Sequence, residues 1–154
     1  MIDWDALSAV VLDIEGTTCP VDFVTDRLFP YARQHLSSLL SQDDLGEVLK
    51  PLLKEVRVAW KQEEDPAAPP FSNQQDPLAL LPYLQWLIDQ DRKLAPLKEL
   101  QGLTWRHGYH SGTLTTPLFD DVAPALKHWQ QLGLRLAVYS SGSVAAQQLF
   151  YGHT

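Results

Sequence analysis

Two short apolar runs lie far apart in the chain, and each stops abruptly at acidic or small polar residues. Between them the apolar positions follow helical spacing. Ser8 to Leu12 is continuous and Val-rich and ends at Asp13, which predicts a buried strand. Leu134 to Tyr139 predicts a second buried strand, ended by Ser140-Ser141-Gly142-Ser143. From Val21 onward, Phe23, Val24, Leu28, Phe29, Leu36, Leu39 and Leu40 have helical spacing, and Pro30 is expected to break that stretch into two pieces. Leu52, Leu53, Val56, Ala59 and Trp60 mark another apolar helix face, with Asp43 or Asp44 as its cap and Pro51 at or near a helix start. Glu63 to Asp76 is a polar, Pro-containing loop. Asp76-Pro77, a capping acid before a first-turn proline, opens a helix carrying Leu80, Leu81, Leu84, Leu87 and Ile88. Pro96 starts another through Leu97, Leu100 and Leu103, after which Gly102, Gly108 and Gly112 are expected to loosen the chain. Asp121 to Gly133 reads as a short helix with Val122, Leu126 and Trp129 on one face, and Ala145 to Phe150 as a last one.

The order is strand, long all-helical insertion, helix, strand, helix. Two strands joined by a helical crossover predict an α/β fold with a parallel sheet. Ligands of such sheets sit beyond the carboxyl ends of the strands. Both polar motifs, Asp13 to Thr18 and Ser140 to Ser143, fall at such ends.

Composition narrows the picture. At 154 residues and 45% hydrophobic content the chain can bury a substantial core. No apolar run approaches the roughly 18 residues of a membrane span. The start, Met-Ile-Asp-Trp-Asp, lacks the basic residues of a signal peptide. The single cysteine, Cys19, permits no internal disulfide, which fits a reducing cytosol, so a cytoplasmic location is expected. A net charge of −7 without a Lys/Arg stripe argues against nucleic-acid binding. It also means that a site for an anionic substrate must supply positive charge locally.

Side chains at i and i+2 of a strand point to one side. Asp13 and Glu15 therefore face one site while Ile14 faces the core. Two carboxylates suit Mg²⁺, which binds few protein ligands and accepts phosphate oxygens. Asp13 can then attack phosphorus, the longer Glu15 can serve as acid or base, and the turn from Gly16 can offer backbone N–H groups to phosphate. The plainer alternative makes Asp13 a turn cap and Glu15 a solvated rim charge. Ser140 and Ser141 offer hydroxyls beside a permissive Gly142, against the alternative of an ordinary helix-capping turn. The chain has no Gly-x-Ser-x-Gly motif, which argues against a serine nucleophile. His107 and His110 read as solvated loop residues, Cys19 as a packed turn residue, and Trp60, Trp86, Trp105 and Trp129 as core or interface.

Asp13-Ile-Glu-Gly-Thr-Thr resembles motif one of the haloacid dehalogenase superfamily. Glu15 replaces that motif's usual second Asp. With Phe23-Val24 and Leu28-Phe29-Pro30-Tyr31-Ala32, this looks like the enolase-phosphatase (acireductone synthase) branch. Asp91-Arg92-Lys93, Pro96-Leu97-Lys98, Leu100-Gln101-Gly102 through Trp105, Gly108-Tyr109, Gly112, Asp121-Val122, Tyr139 to Ser143 and Ala146-Gln147 are similar to that branch as well. The resemblance implies a Rossmann-like haloacid dehalogenase core, incomplete here, with an inserted all-helical cap. Residues 1–19 and 107–154 would form the partial core and 20–106 the cap. It implies Mg²⁺ held by Asp13 and Glu15, with Asp13 the nucleophile and Glu15 assisting proton transfer. Ser140 would hold phosphate and Ser141 would contact substrate. The implied reaction is enolisation of 2,3-diketo-5-methylthiopentyl-1-phosphate, then dephosphorylation to the acireductone, in methionine salvage.

The family also needs a third-motif lysine and a fourth-motif aspartate, which are not found before Thr154. Gln148 stands where the family usually has Lys. The chain is therefore expected to be an N-terminal fragment with little activity alone. It is expected to be a monomer like its family, with association possible through an unpaired edge at Val10 to Leu12, and to have no nucleic-acid or membrane partner. The competing readings are another capped Mg²⁺-dependent phosphomonoesterase of the superfamily, and a non-catalytic binding protein.

Overall fold

The computed structural model describes residues 6–42 and 46–154. Strand β1 (Ala9–Leu12) pairs in parallel with β2 (Arg135–Val138), with Ala9 level with Arg135 and Leu12 with Val138. The crossover between them contains α1 (Val21–Phe23), a π-helical segment (Val24–Leu28), α2 (Phe29–Leu40), α3 (Gly46–Lys61), a 3₁₀ turn (Pro77–Leu80), α4 (Leu81–Asp89), α5 (Ala95–His110) and α6 (Val122–Gln131). Helix α7 (Val144–Gly152) follows β2. Strand, helical insertion, helix, strand and helix thus appear in the expected order, in an α/β fold with a parallel pair.

Both strands form where the apolar runs predict them, but neither is buried. Val11 is 65% exposed and Leu136 37%. Among the described residues the sheet has only these two strands, so each keeps one open edge. Helix α6 packs on β2. An apolar run sets strand geometry locally, whereas burial needs neighbours on both faces.

Pro30 does not break the helix. The chain is helical without interruption from Val21 to Leu40, and the accommodation lies just before the proline. There the Phe29 N–H bonds to the Val24 carbonyl, an i to i−5 step. This register shift lets the helix run through a residue with no N–H of its own. Pro51 lies inside α3, more than a turn beyond Gly46, on an exposed face. The proposed caps Asp43 and Asp44 lie outside the described residues. Asp76 caps as predicted, its Oδ1 accepting the Leu78 N–H at 2.9 Å. Helix α5 runs through Gly102 and Gly108 rather than loosening there. His107 and His110 are exposed, as expected, but on its last turn rather than in a loop. Gly133, at φ +78°, ends the stretch after α6 in the left-handed conformation that glycine tolerates best.

The apolar side chains form two clusters. One gathers Leu36 and Leu40 of α2, Val56 and Trp60 of α3, Leu84 of α4 and Leu100 of α5. Trp60 stacks on Tyr83 at 5.4 Å and donates its indole N–H to the Pro69 carbonyl at 2.7 Å, which holds the polar loop over α3. The other gathers Ile14, Cys19, Phe23, Tyr31, Tyr109 and Phe150 beside the strand ends. Helices α2 and α5 contribute to both, so residues 106 and 107 fall within a continuous helix. Arg33 makes a two-pronged bond to Asp89, at 2.7 and 2.9 Å, tying α2 to α4.

Candidate active site

The parallel register sets the geometry. Leu12 lies beside Val138, and the Tyr139 N–H donates to the Leu12 carbonyl at 2.8 Å. The chain segments Asp13-Ile14-Glu15 and Tyr139-Ser140-Ser141 thus leave the sheet side by side. Asp13 and Glu15 are exposed and Ile14 is buried, at 8%. This alternation is the one expected from strand periodicity.

The turn after Glu15 is closed on itself. The N–H groups of Thr17, Thr18 and Cys19 point at one acceptor, the Ile14 carbonyl, at 3.2, 2.9 and 3.2 Å, and the Gly16 N–H donates to the Cys19 carbonyl at 2.8 Å. These groups are engaged internally, which corrects the expectation that this turn presents free N–H donors to phosphate. Gly16 sits at φ +72°, and a Cβ there would approach Val21 to 3.0 Å. Both facts require glycine. The Thr18 hydroxyl shares a 2.8 Å bond with Tyr151 of α7 and also donates to the Ile14 carbonyl at 3.2 Å. The loop is therefore anchored to the far end of the chain.

Asp13 Oδ1 accepts the Ile14 N–H at 2.7 Å, and neither Asp13 nor Glu15 joins an ion pair among the described residues. Cys19 is fully buried. Burial first, then the nearby Glu15 and Asp22 charges, push its thiol up to about 11, so it stays protonated and inert at neutral pH.

Of the four site residues read from the sequence, Glu15, Ser140 and Ser141 line one cavity between the strand ends and the helical insertion, and Asp13 stands at the adjoining strand tip outside its lining. Ser140 Oγ accepts the Gly142 N–H at 3.2 Å. Ser143, by contrast, is the helix cap, its Oγ accepting the Ala146 N–H at 3.2 Å. Ser143 thus caps α7 and lines the cavity as well, whereas Ser140 and Ser141 line it without capping the helix.

The opposite wall comes from α5 and the turn before it: Arg92, Lys93, Lys98, Gln101 and Trp105. From the sequence none of these has a site role: Trp105 reads as core or interface, and the stretches that hold the others are noted only for their likeness to the family branch. A signal was present in α5, where Gln101 and Thr104 interrupt an apolar face of Leu97 and Leu100 and are themselves buried. Trp105, half-buried, donates its indole N–H to the Leu28 carbonyl at 2.8 Å and fastens α5 to the π segment. Asp91 takes the left-handed φ of +48° in the α4–α5 turn. The N–H groups of Asp91 and Arg92 bond back to the Ile88 and Leu87 carbonyls, a Schellman closure that aims Arg92 and Lys93 at the cavity.

Strand-tip carboxylates, a serine-bearing second strand end and an inserted helical lobe across the cavity define a haloacid dehalogenase-type arrangement. The chain belongs to the haloacid dehalogenase-like hydrolase family, whose model matches residues 7–153. Within that family it is 82% identical to the enolase-phosphatase E1 of Synechococcus sp. strain RCC307, over all of this chain and 62% of that protein. It is 46% identical to the enolase-phosphatase E1 of Gluconacetobacter diazotrophicus, over 97% of this chain and 57% of the relative. Among solved structures it resembles the UTR4 protein of Saccharomyces cerevisiae, with a TM-score of 0.73 and 32% identity, covering 96% of this chain and 57% of that one. The chain spans about three fifths of the length of the curated relatives it matches.

Proposed function

We propose that this chain carries the nucleophile and phosphate-binding part of a Mg²⁺-dependent enolase-phosphatase that converts 2,3-diketo-5-methylthiopentyl-1-phosphate to the acireductone and phosphate in methionine salvage. The observation that carries this reading is the convergence of Glu15, Ser140 and Ser141 on one cavity with cationic residues of the helical insertion. The relatives named enolase-phosphatase E1 support it.

The donor set fits the metal. Asp13 and Glu15 would hold Mg²⁺, since both are exposed carboxylates on one side of a strand tip with no ion-pair partner among the described residues. Among the described residues no group of three or more metal-binding side chains is assembled. Mg²⁺ accepts such a sparse set because it keeps waters and takes phosphate oxygens as further ligands. When bound, it supplies positive charge that lets a phosphate approach two carboxylates.

The chain's own residues do the rest. Asp13 Oδ1 is oriented by the Ile14 N–H, leaving Oδ2 to attack phosphorus. The new Oδ2–P bond forms as the bond from phosphorus to the substrate's ester oxygen breaks, and water then releases phosphate from the aspartyl ester. Glu15 moves the proton during enolisation, and the Ser140 and Ser141 hydroxyls hold phosphate oxygens. Residues 20–106 act as the cap that excludes water, over a core built from 1–19 and 107–154. No helix among the described residues is long and apolar enough to cross a membrane.

The test is turnover with Mg²⁺ by the protein carrying this chain. Phosphate release from the diketo phosphate should exceed that from generic phosphomonoesters. D13N should lower it on the order of 10³-fold or more, as expected for loss of a nucleophile. Undiminished release by D13N overturns the assignment, and equal turnover of generic esters favours a broad phosphomonoesterase.

A further inference from the structure

Gln101 is 7% exposed and lines the cavity between the strand ends and the insertion. Its backbone carbonyl accepts the Thr104 hydroxyl, but among the described residues its side-chain amide has no hydrogen-bond partner. The amide is not sealed in: among those residues no buried, inaccessible side-chain polar atom is left unbonded, so its polar end opens on the cavity. An amide held at a cavity wall without a protein partner is free to bond whatever fills the cavity. Lys98, one turn earlier on α5, lines the same cavity and joins none of the ion pairs among the described residues. Arg92 differs, since it is engaged by Glu63 and Asp65 at 3.2 and 3.6 Å.

We propose that Gln101 is a specificity-determining residue. Its amide N–H donates to a carbonyl oxygen carried next to the phosphate-bearing carbon of the substrate, while the Lys98 ammonium adds positive charge for the phosphate group itself. The inference rests on the functional reading above and names how the cap reads the ligand. The strand ends hold the phosphate, and the face of α5 distinguishes a vicinal diketone from a plain alkyl chain. On α5 the Trp105 and Tyr109 polar groups are bonded to Leu28 and Thr116, which leaves Gln101, among the described residues, as that helix's uncommitted hydrogen-bonding side chain at the cavity, with Lys98 adding to the charge of Arg92 and Lys93 in the preceding turn. A polar site of this kind discriminates by leaving its own group unpaired when the wrong ligand binds.

The experiment compares two phosphonates by calorimetry: one carrying the 2,3-diketone, and the same chain with both carbonyls replaced by methylene. The native protein should bind the diketone about five- to tenfold more tightly, the factor one neutral hydrogen bond supplies. In Q101L that preference should vanish. In the native protein the side-chain amide NMR signals of Gln101 should shift with the diketone and stay in place with the plain phosphonate, a readout independent of whether Q101L folds. A preference that survives in Q101L, no preference in the native protein, or Gln101 amide signals that do not respond selectively to the diketone overturns the proposal and leaves the phosphatase reading standing. Failure of both phosphonates to bind overturns the phosphatase reading and this inference with it.

Discussion

Gly108 shows how much one absent side chain can decide. A Cβ at this position would stand 2.7 Å from both Leu114 Cδ1 and Tyr31 Cζ. Two buried side chains therefore press directly on the α5 backbone. Helix propensity alone favours alanine there by about 1 kcal/mol. Overpacking a filled core costs about 1–3 kcal/mol, and an aromatic ring is not a flexible tip that swings away. Close approaches to both Leu114 and Tyr31 put the clash in the upper part of that range, about 2–3 kcal/mol, so after the helix gain G108A is expected to destabilise the protein by about 1–2 kcal/mol in denaturant unfolding. An unchanged midpoint would show that Tyr31 can move aside. Gly102, six residues earlier in the same helix, has nothing within 4 Å and serves as its control. Both glycines read alike in the sequence, because what crosses a helix is not written in its own neighbours.

At the scale of elements, the polar loop between α3 and the 3₁₀ turn is held by Glu63. Its Oε1 accepts the Asp65 N–H at 3.1 Å, and its Oε2 meets the Tyr83 hydroxyl at 3.1 Å and Arg92 at 3.2 Å. The Asp65 N–H first, then Tyr83 and Arg92, hold the Glu63 carboxyl below its ordinary 4.5 despite some burial. Tyr83 is pushed up to about 12, by burial and then by Glu63, so it stays a donor. A carboxyl lowered on folding stabilises fully above its unfolded value, and that contribution is lost as pH falls through the folded one. The melting-temperature gap between native protein and E63Q should be full at pH 7 and shrink as pH drops below 4.5. A gap constant from about pH 7 to pH 3 would mean the carboxylate charge is irrelevant to the latch. Arg92 also lies over the Trp86 ring at 5.3 Å, so the latch reaches the cavity rim through the α4–α5 turn. The loop's polarity and length were legible from its Pro, Asn and Gln content. Its partners, 20 and 29 residues downstream, were not.

For the whole molecule, the paired strands leave apolar side chains in water. Val11 and Leu136 are exposed on the two-stranded sheet, and Tyr139 is 81% exposed at its tip. Exposed apolar strands with open edges invite pairing with another copy. The 154-residue chain is therefore expected to self-associate, and V11K to reduce that association in sedimentation or light scattering while changing stability by no more than about 0.5 kcal/mol. Equal association by V11K would exclude the face that Val11 occupies, opposite that of Leu136, as the route. What the sequence determined by itself is local: where each strand stops, and hence that Asp13, Glu15, Ser140 and Ser141 stand at strand tips, because strand period and apolar run length are short-range properties. Burial and the second wall of the site were decided by tertiary structure. Thr18 meets Tyr151 across 133 positions, and Trp105 meets Leu28 across 77. Contacts at such separations face Gln101 and Lys98 toward the strand tips, and no periodicity along the chain encodes them.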